Sequence, residues 1–168
     1  GAGTHGMIEA GLILQVAAAI YDDMNAHHVQ SYGPEARSEA ARSEVIISDG
    51  DIDYPKATQV GALVATTQAA IERYSHDLKT GATVILDHEV EPADLDGALV
   101  HRLPLVETAE RTLGKPALLP IVALGALVEL TGVVTKPALE AAVKDHVPRG
   151  GEELHIQALE AGYGLIRK

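Results

Sequence analysis

The hydrophobic positions near the start of the chain recur at helical spacing. After the glycine-rich opening GAGTHG, apolar side chains follow at Ile8, Leu12 and Val16. Residues three or four positions apart lie on one face of a helix, so this pattern predicts an amphipathic helix that starts near Met7. A glycine-rich turn of this kind usually follows a strand in nucleotide-binding units, and we therefore expect a first strand before Gly1.

Short apolar runs in the middle of the chain are typical of strands. Runs rich in apolar and β-branched residues predict strands at 26–30, 42–48, 61–65, 83–86 and 98–103. The two runs 61–65 and 83–86 are continuously apolar, which indicates burial on both faces, and a helix is predicted between them over 67–78. This order predicts a strand–helix–strand unit with parallel strands.

The last third of the chain carries helical patterns. Helices are predicted over 105–113, 117–131, 136–146 and 152–161, with Pro104 at the start of the first and Thr135 as the N-cap of the third. Neither an internal repeat nor a long linker divides the chain. We therefore predict a single α/β domain over residues 1–168, with a mainly parallel sheet and a helical C-terminal third.

Composition and charge narrow the chemistry that this chain can carry. The 168 residues include no cysteine, which excludes disulfides, a cysteine nucleophile, cysteine-ligated zinc and a thiolate-held iron–sulfur cluster within them. A formal net charge of −11 makes nucleic acid and anionic membranes unfavourable partners. The sequence has neither an apolar run of the roughly 18 residues that cross a bilayer nor a secretory signal pattern, so we expect a cytoplasmic protein.

The glycine-rich opening is the first candidate ligand site. Gly1, Gly3 and Gly6 have the spacing G-x-G-x-x-G, which at a helix start can present backbone N–H groups and the positive end of the helix dipole to a phosphate. The acidic residue that a dinucleotide site carries about twenty residues later is absent, and His27 and His28 stand there instead. From these residues alone, an anion site and a structural tight turn both stay open.

The polar loop over 31–41 is the second candidate. It combines Tyr32, Gly33 and Pro34 with Arg37, an isolated arginine flanked by glutamates. A guanidinium can bind a phosphate or carboxylate through two parallel hydrogen bonds. The same arginine can also form an ordinary surface ion pair with Glu35 or Glu39, which is the more common outcome when residue chemistry is considered alone.

Other patterns that suggest catalysis or metal binding fail in detail. The DGDID segment at 49–53 is similar to the start of a calcium loop, but Tyr54 and Val60 replace its glycine and its bidentate glutamate. His27 and His28 are neighbours on a predicted strand and point to opposite faces, so they cannot easily share one metal ion. An enzyme with no self-contained catalytic apparatus depends on cofactors or on other chains.

Several segments together resemble a known family, and the stretch 30–55 carries most of the resemblance. In order and spacing, GAGTHGMIEAGLILQVAA, QSYGPEAR, RSEVIISD and IDYPKA are similar to the gamma subunit of 2-oxoacid:ferredoxin oxidoreductases (the pyruvate/ketoisovalerate oxidoreductase gamma family), and most similar to its 2-oxoglutarate members. The resemblance continues through ALVATTQAAIERY, GATVILD and ALGALVELTGVV to the C-terminal EAGYGL. It implies a three-layer α/β/α Rossmann-like fold.

The resemblance also implies a role within a larger enzyme. Such enzymes decarboxylate a 2-oxoacid, such as 2-oxoglutarate or pyruvate, on thiamine diphosphate, pass electrons through iron–sulfur clusters to ferredoxin, and transfer the acyl group to coenzyme A. Thiamine diphosphate, magnesium and the clusters would belong to the alpha, beta and delta subunits, which would be the partners of this chain. The chain itself would be an accessory oxidoreductase subunit, not catalytic alone and binding no cofactor alone, with coenzyme A possible at its surface.

The same resemblance implies which residues line a coenzyme A and thiamine cavity: Gly1, Gly3, Thr4, His5 and Gly6, together with Tyr32, Gly33, Pro34, Glu35 and Arg37. The chain departs from the family where Thr4-His5 replaces the usual Gly-Gln and where Ser38-Glu39 replaces Gly-Gly, which adds side chains and one negative charge. Two alternatives therefore stay beside the leading one. The chain could be a stand-alone nucleotide-binding module, or a diverged subunit that serves only in assembly.

Overall fold

The structure is a computed structural model that describes residues 2–31, 42–52, 59–92 and 94–167. The helices are α1 Ala2–Val16, α2 Gln68–Tyr74, α3 Leu105–Glu107, α4 Leu119–Thr131, α5 Lys136–His146 and α6 Glu152–Ile166. The strands are β1 Asn25–Ser31, β2 Arg42–Ser48, β3 Val60–Ala65, β4 Leu78–Asp87 and β5 Leu99–Leu103. A π-helical turn extends α1 over Ala17–Tyr21, and another extends α3 over Thr108–Thr112.

A three-stranded parallel sheet forms the middle of the fold, with the strand order β3-β4-β5. β3, α2 and β4 make the predicted parallel strand–helix–strand unit. α2 begins after Thr67, whose side chain accepts a hydrogen bond from Ala70 N at 3.3 Å. The helix is shorter than the predicted span 67–78, because Leu78 is already the first residue of β4.

Helices cover the parallel sheet on both faces. Ile85 of β4 is fully buried in the larger hydrophobic core, which α1, α4, α5 and α6 build. Its neighbours Val84 and Leu86 point to the other face and pack in a smaller cluster with Ile71 of α2. The two clusters on opposite faces of one strand confirm the expected α/β/α arrangement.

β1 and β2 form a separate antiparallel hairpin, paired from Asn25 with Ser48 to Ser31 with Arg42. The predicted mainly parallel arrangement therefore applies to β3–β5 and not to this hairpin. Antiparallel pairing follows from the connection, because residues 32–41 are too few for the crossover that joins parallel strands. Ala26, Val45 and Ile47 on one face of the hairpin pack against the larger core.

α1 begins at Ala2 and not near Met7, so the glycine-rich opening is helical where it is described. A Cβ atom at Gly6 would lie 2.7 Å from Pro120 Cγ of α4, closer than Cβ atoms approach other atoms. Glycine at this position thus allows α1 and α4 to pack closely. Glycines are typical both of turns and of close helix contacts, and the sequence pattern did not distinguish the two.

The helical C-terminal third is present as predicted. α5 has the predicted ends, and the Thr135 side chain accepts a hydrogen bond from Ala138 N at 3.3 Å. α6 continues to Ile166, five residues beyond its predicted end at position 161. Within the described ranges, no helix combines the length and the hydrophobicity that crossing a membrane requires.

Candidate functional site

The residues predicted to form the site fall in two segments, and the structure describes one of them in part. Gly3, Thr4 and His5 belong to the first turns of α1, and Gly6 follows on the side that faces α4. The first four N–H groups of a helix have no acceptor within it, and that end carries a partial positive charge. The other predicted residues lie outside the described ranges: Gly1, Tyr32, Gly33, Pro34, Glu35 and Arg37.

α1 runs antiparallel to β1. Gln15 Nε2 donates a hydrogen bond to Ala26 O near the start of β1, at 3.4 Å. About one turn earlier in the helix, Gly11 lies against His28, two residues further along the strand. Moving towards the N-terminus of α1 therefore means moving towards the end of β1.

The first turn of α1 and the loop end of the hairpin lie at the same end of the hairpin layer. The loop end is the last strand pair, Ser31 with Arg42, between which residues 32–41 connect the strands. From Gly11 to Gly3 the helix rises by about 12 Å at 1.5 Å per residue. From His28 to Ser31 the strand advances by about 10 Å. The first turn of α1 and the Ser31–Arg42 strand pair thus lie at one end of the hairpin layer.

A histidine–serine pair joins the two strands beneath Gly11. A hydrogen bond of 2.8 Å connects His28 Nε2 with Ser43 Oγ. A Cβ atom at Gly11 would lie 1.8 Å from Ser43 Oγ and 2.8 Å from His28 Nε2, so the pair fills the space that a side chain at position 11 would need. Burial lowers the pKa of His28, and the charge of His27 lowers it further, which favours a neutral imidazole at neutral pH.

Sequence reasoning missed this contact. It placed His27 and His28 on opposite faces of a strand, and the structure agrees, since His27 is exposed while His28 is half-buried. It did not pair His28 with Ser43, which lies on another strand. The available signal was Gly11, because a glycine inside a helix costs about 1 kcal/mol relative to alanine and so often marks a close approach.

The carboxyl edge of the parallel sheet carries a capping network. Asp87, 1% exposed, ends β4, and its carboxylate accepts hydrogen bonds from Val106 N at 2.9 Å and from Glu89 N at 3.1 Å. Arg102 donates to His88 O at 2.6 Å and to Val90 O at 3.2 Å. These contacts hold the start of α3 and the β4–β5 connection, which is a structural role. In the part of the chain that the structure describes, no group of three or more His, Cys, Asp or Glu residues could hold a metal ion.

Residues 1–165 match the family described as pyruvate ferredoxin/flavodoxin oxidoreductase. The chain belongs to this family. Two curated relatives are both described as 2-oxoglutarate synthase subunit KorC. The one from Methanothermobacter thermautotrophicus is 43% identical over 173 residues, which cover 99% of this chain and 92% of the relative. The one from Methanocaldococcus jannaschii is 40% identical over 171 residues, which cover 100% of this chain and 91% of the relative.

Solved structures of this oxidoreductase family share the fold. The gamma subunit of a keto/oxoacid ferredoxin oxidoreductase from Geobacter sulfurreducens superposes with a TM-score of 0.83 at 42% identity, over 96% of this chain and 92% of that chain. A 2-oxoglutarate:ferredoxin oxidoreductase from Magnetococcus marinus, solved with 2-oxoglutarate, coenzyme A and succinyl-CoA, gives a TM-score of 0.87 at 20% identity, over 98% of this chain and 29% of that longer chain. The expected membership in the gamma-subunit family is confirmed.

Proposed function

We propose that this chain is the accessory gamma subunit of a 2-oxoacid:ferredoxin oxidoreductase, and that 2-oxoglutarate is the substrate of the complex. One observation carries this proposal: 43% identity to a 2-oxoglutarate synthase subunit over 99% of this chain and 92% of that subunit. The similarity extends across both chains and is not restricted to isolated motifs. It is therefore a similarity between whole subunits.

In this role the chain contributes binding and orientation to the reaction. The 168 residues include no cysteine, so the thiolates that hold the iron–sulfur clusters would come from the alpha, beta and delta subunits, together with the thiamine diphosphate and magnesium sites. When bound there, thiamine diphosphate supplies the decarboxylation chemistry. A neighbouring subunit accelerates such a reaction by holding the acyl acceptor in a productive position.

The proposed binding surface for coenzyme A consists of the first turn of α1 and the loop that follows β1. Gly3 and Thr4, in the first turn of α1, would direct free N–H groups towards phosphate. Arg37 would add a guanidinium that binds phosphate with two parallel hydrogen bonds. Tyr32 and Pro34 would contact a partner subunit. The first turn of α1 and the loop end of the hairpin lie at the same end of the hairpin layer. This supports the assignment, because both segments can then contact one ligand.

Omission of the chain tests the proposal. The partner subunits are co-expressed with and without this chain, and coenzyme-A-dependent reduction of a viologen dye is measured with 2-oxoglutarate and, separately, with pyruvate. We expect activity only when the chain is present, and faster turnover of 2-oxoglutarate. Full activity without the chain would disprove the proposal. A second measurement, calorimetry on the isolated chain, tests the alternative, and micromolar binding of NAD alone would favour a nucleotide-binding module.

Replacement of Arg37 tests the binding surface separately. Loss of one charge-assisted hydrogen bond costs about 1.5–3 kcal/mol, so Arg37→Ala should raise the KM for coenzyme A by about tenfold or more, with little change in kcat. Arg73→Ala is the matched control, because Arg73 lies on α2 over the Tyr74 ring, with 5.9 Å between its guanidinium carbon and the ring centroid. An unchanged KM in an assembled complex would favour a subunit that serves only in assembly.

A further inference from the structure

The hairpin contacts α1 through a seat made of three residues: Gly11 on the helix, His28 on β1 and Ser43 on β2. The hydroxyl of Ser43 occupies the place where a side chain of residue 11 would begin, with an ideal Cβ only 1.8 Å away. The His28 ring lies beside it, hydrogen-bonded at 2.8 Å. The pair therefore limits how closely the hairpin approaches α1 at this point.

The pair is a polar contact within an apolar face. His28 and Ser43 lie on the same side of the hairpin as Ala26, Val45 and Ile47, since paired residues share a face and side chains alternate along each strand. A polar group that is withdrawn from water without a partner is unfavourable, and in this half-buried pair each residue is the hydrogen-bond partner of the other. A shift of the strand register by one residue would break the hydrogen bond, because it would turn the two side chains to opposite faces.

The seat is close to the loop end of the hairpin. Ser43 directly follows Arg42, and His28 comes three residues before Ser31. On both strands the seat is therefore only a few residues from the loop end. A small tilt of the hairpin on α1 would move this end relative to the first turn of the helix. A ligand that contacts both the loop end of the hairpin and the first turn of α1 would bind with an affinity that depends on the distance between them.

We infer that His28 and Ser43 are positioning residues. They set the distance between the loop end of the hairpin and the first turn of α1, and this distance sets the affinity of the complex for coenzyme A. This inference rests on the proposed function. Neither residue needs to contact the ligand. Their effect is on binding geometry, so it belongs in the KM for coenzyme A and not in kcat.

The experiment uses the assembled complex and measures KM for coenzyme A and kcat with saturating 2-oxoacid. We expect His28→Ala and Ser43→Ala each to raise KM by about three- to tenfold with kcat within about twofold. The double variant should show no larger effect than the stronger single variant, because both changes remove one hydrogen bond. His28→Gln, which can still bond to Ser43 Oγ, should restore most of the affinity.

His27→Ala is the matched control, because His27 is the exposed neighbour on the opposite face and should leave KM unchanged. Incorporation into the complex is checked by size-exclusion chromatography, and Ser43→Ala, which removes one hydroxyl, carries the test if His28→Ala fails to assemble. Unchanged KM in His28→Ala and Ser43→Ala overturns this inference alone when omission of the chain abolishes activity. Full activity without the chain overturns both this inference and the proposed function.

Discussion

Adjacent histidines on β1 have different surroundings. His28 is half-buried and bonded to Ser43, whereas His27 is exposed, as expected for neighbours on a strand. Strand alternation predicted that they would differ. Which of the two packs inside depends on the face that the hairpin turns to α1, and that face is set by Ala26, Val45 and Ile47.

The His28 pKa leads to a prediction about stability against pH. Burial holds this pKa below its ordinary value of 6.5, so the unfolded chain binds an extra proton first as the pH falls through 6.5. The stability that the neutral ring contributes is therefore lost below pH 6.5, down to the lower pKa of the folded chain. Urea unfolding at about pH 7.5 and about pH 5.5 should show a smaller loss for His28→Gln than for the natural chain. His27→Gln should keep most of the natural loss, because burial is the larger cause of the lowered pKa. Equal losses in the natural chain and in His28→Gln would contradict the assignment.

Helix boundaries were predicted well where local chemistry sets them. α5 has the predicted ends, because Thr135 caps its start and Pro and Gly residues follow its end. α1 starts five residues earlier than predicted, and its π-helical extension over Ala17–Tyr21 had no sequence signal. Contacts with other elements decide these two features: Gly6 packs on Pro120 of α4, and Asp22, just after the extension, accepts hydrogen bonds from Thr135 at 2.7 Å.

At the scale of elements, the close approach of α4 and α6 leads to a prediction about stability. A Cβ atom at Gly125 would lie 2.4 Å from Leu159 O, and one at Gly162 would lie 2.2 Å from Val122 O, so the helices meet at their backbones. Gly125→Ala or Gly162→Ala should lower the free energy of unfolding by at least about 2 kcal/mol, because backbone cannot easily move away. Urea unfolding measures the change.

Gly164→Ala is the control for these variants, since an added Cβ there has no atom within 4 Å. Higher intrinsic helix propensity should make this chain more stable by up to about 1 kcal/mol. A similar loss for Gly164→Ala and Gly162→Ala would mean that close packing is not the cause.

At the scale of the whole molecule, one carboxylate ties three helices together. Glu129 of α4 accepts a hydrogen bond from Arg167 Nε, just after α6, at 3.0 Å and pairs with Lys136 at the start of α5. Lys136 Nζ also lies 4.6 Å from the centre of the Tyr163 ring on α6. Lys136 and then Arg167 lower the pKa of Glu129, while burial raises the pKa of Tyr163 to about 12.

Glu129→Gln should reduce stability at neutral pH and remove part of the acid sensitivity. A carboxylate whose folded pKa is below its ordinary 4.5 contributes stability above pH 4.5, and loses it as the pH falls through the folded value. The melting temperatures of the variant and the natural chain should therefore differ at about pH 7 and converge once the pH falls below the folded pKa of Glu129. Glu107→Gln is the control, because the Glu107–Arg111 pair of 2.9 Å lies within one helical segment and should contribute little. A constant difference across this pH range would exclude the proposed charge effect.

The candidate site was predictable as two segments but not as a geometry. Composition and motif order indicated the glycine-rich opening and the loop around Arg37, and the family assignment is confirmed over residues 1–165. The roles of single residues in the site remain predictions. Gly6 shows why, since its contact with Pro120 explains a glycine at this position by helix packing alone.

The sequence by itself determined the class of the fold, the parallel strand–helix–strand unit, the capped start of α5 and the family, because each depends on local patterns or on the order of motifs along the chain. Tertiary structure alone decided that the β1–β2 hairpin is separate from the parallel sheet, that α1 extends through its glycines, and that Gly11, His28 and Ser43 form one seat. These features depend on atoms far apart in sequence approaching within a few ångströms. Periodicity reports which face of an element is apolar, and it does not report which neighbour that face meets.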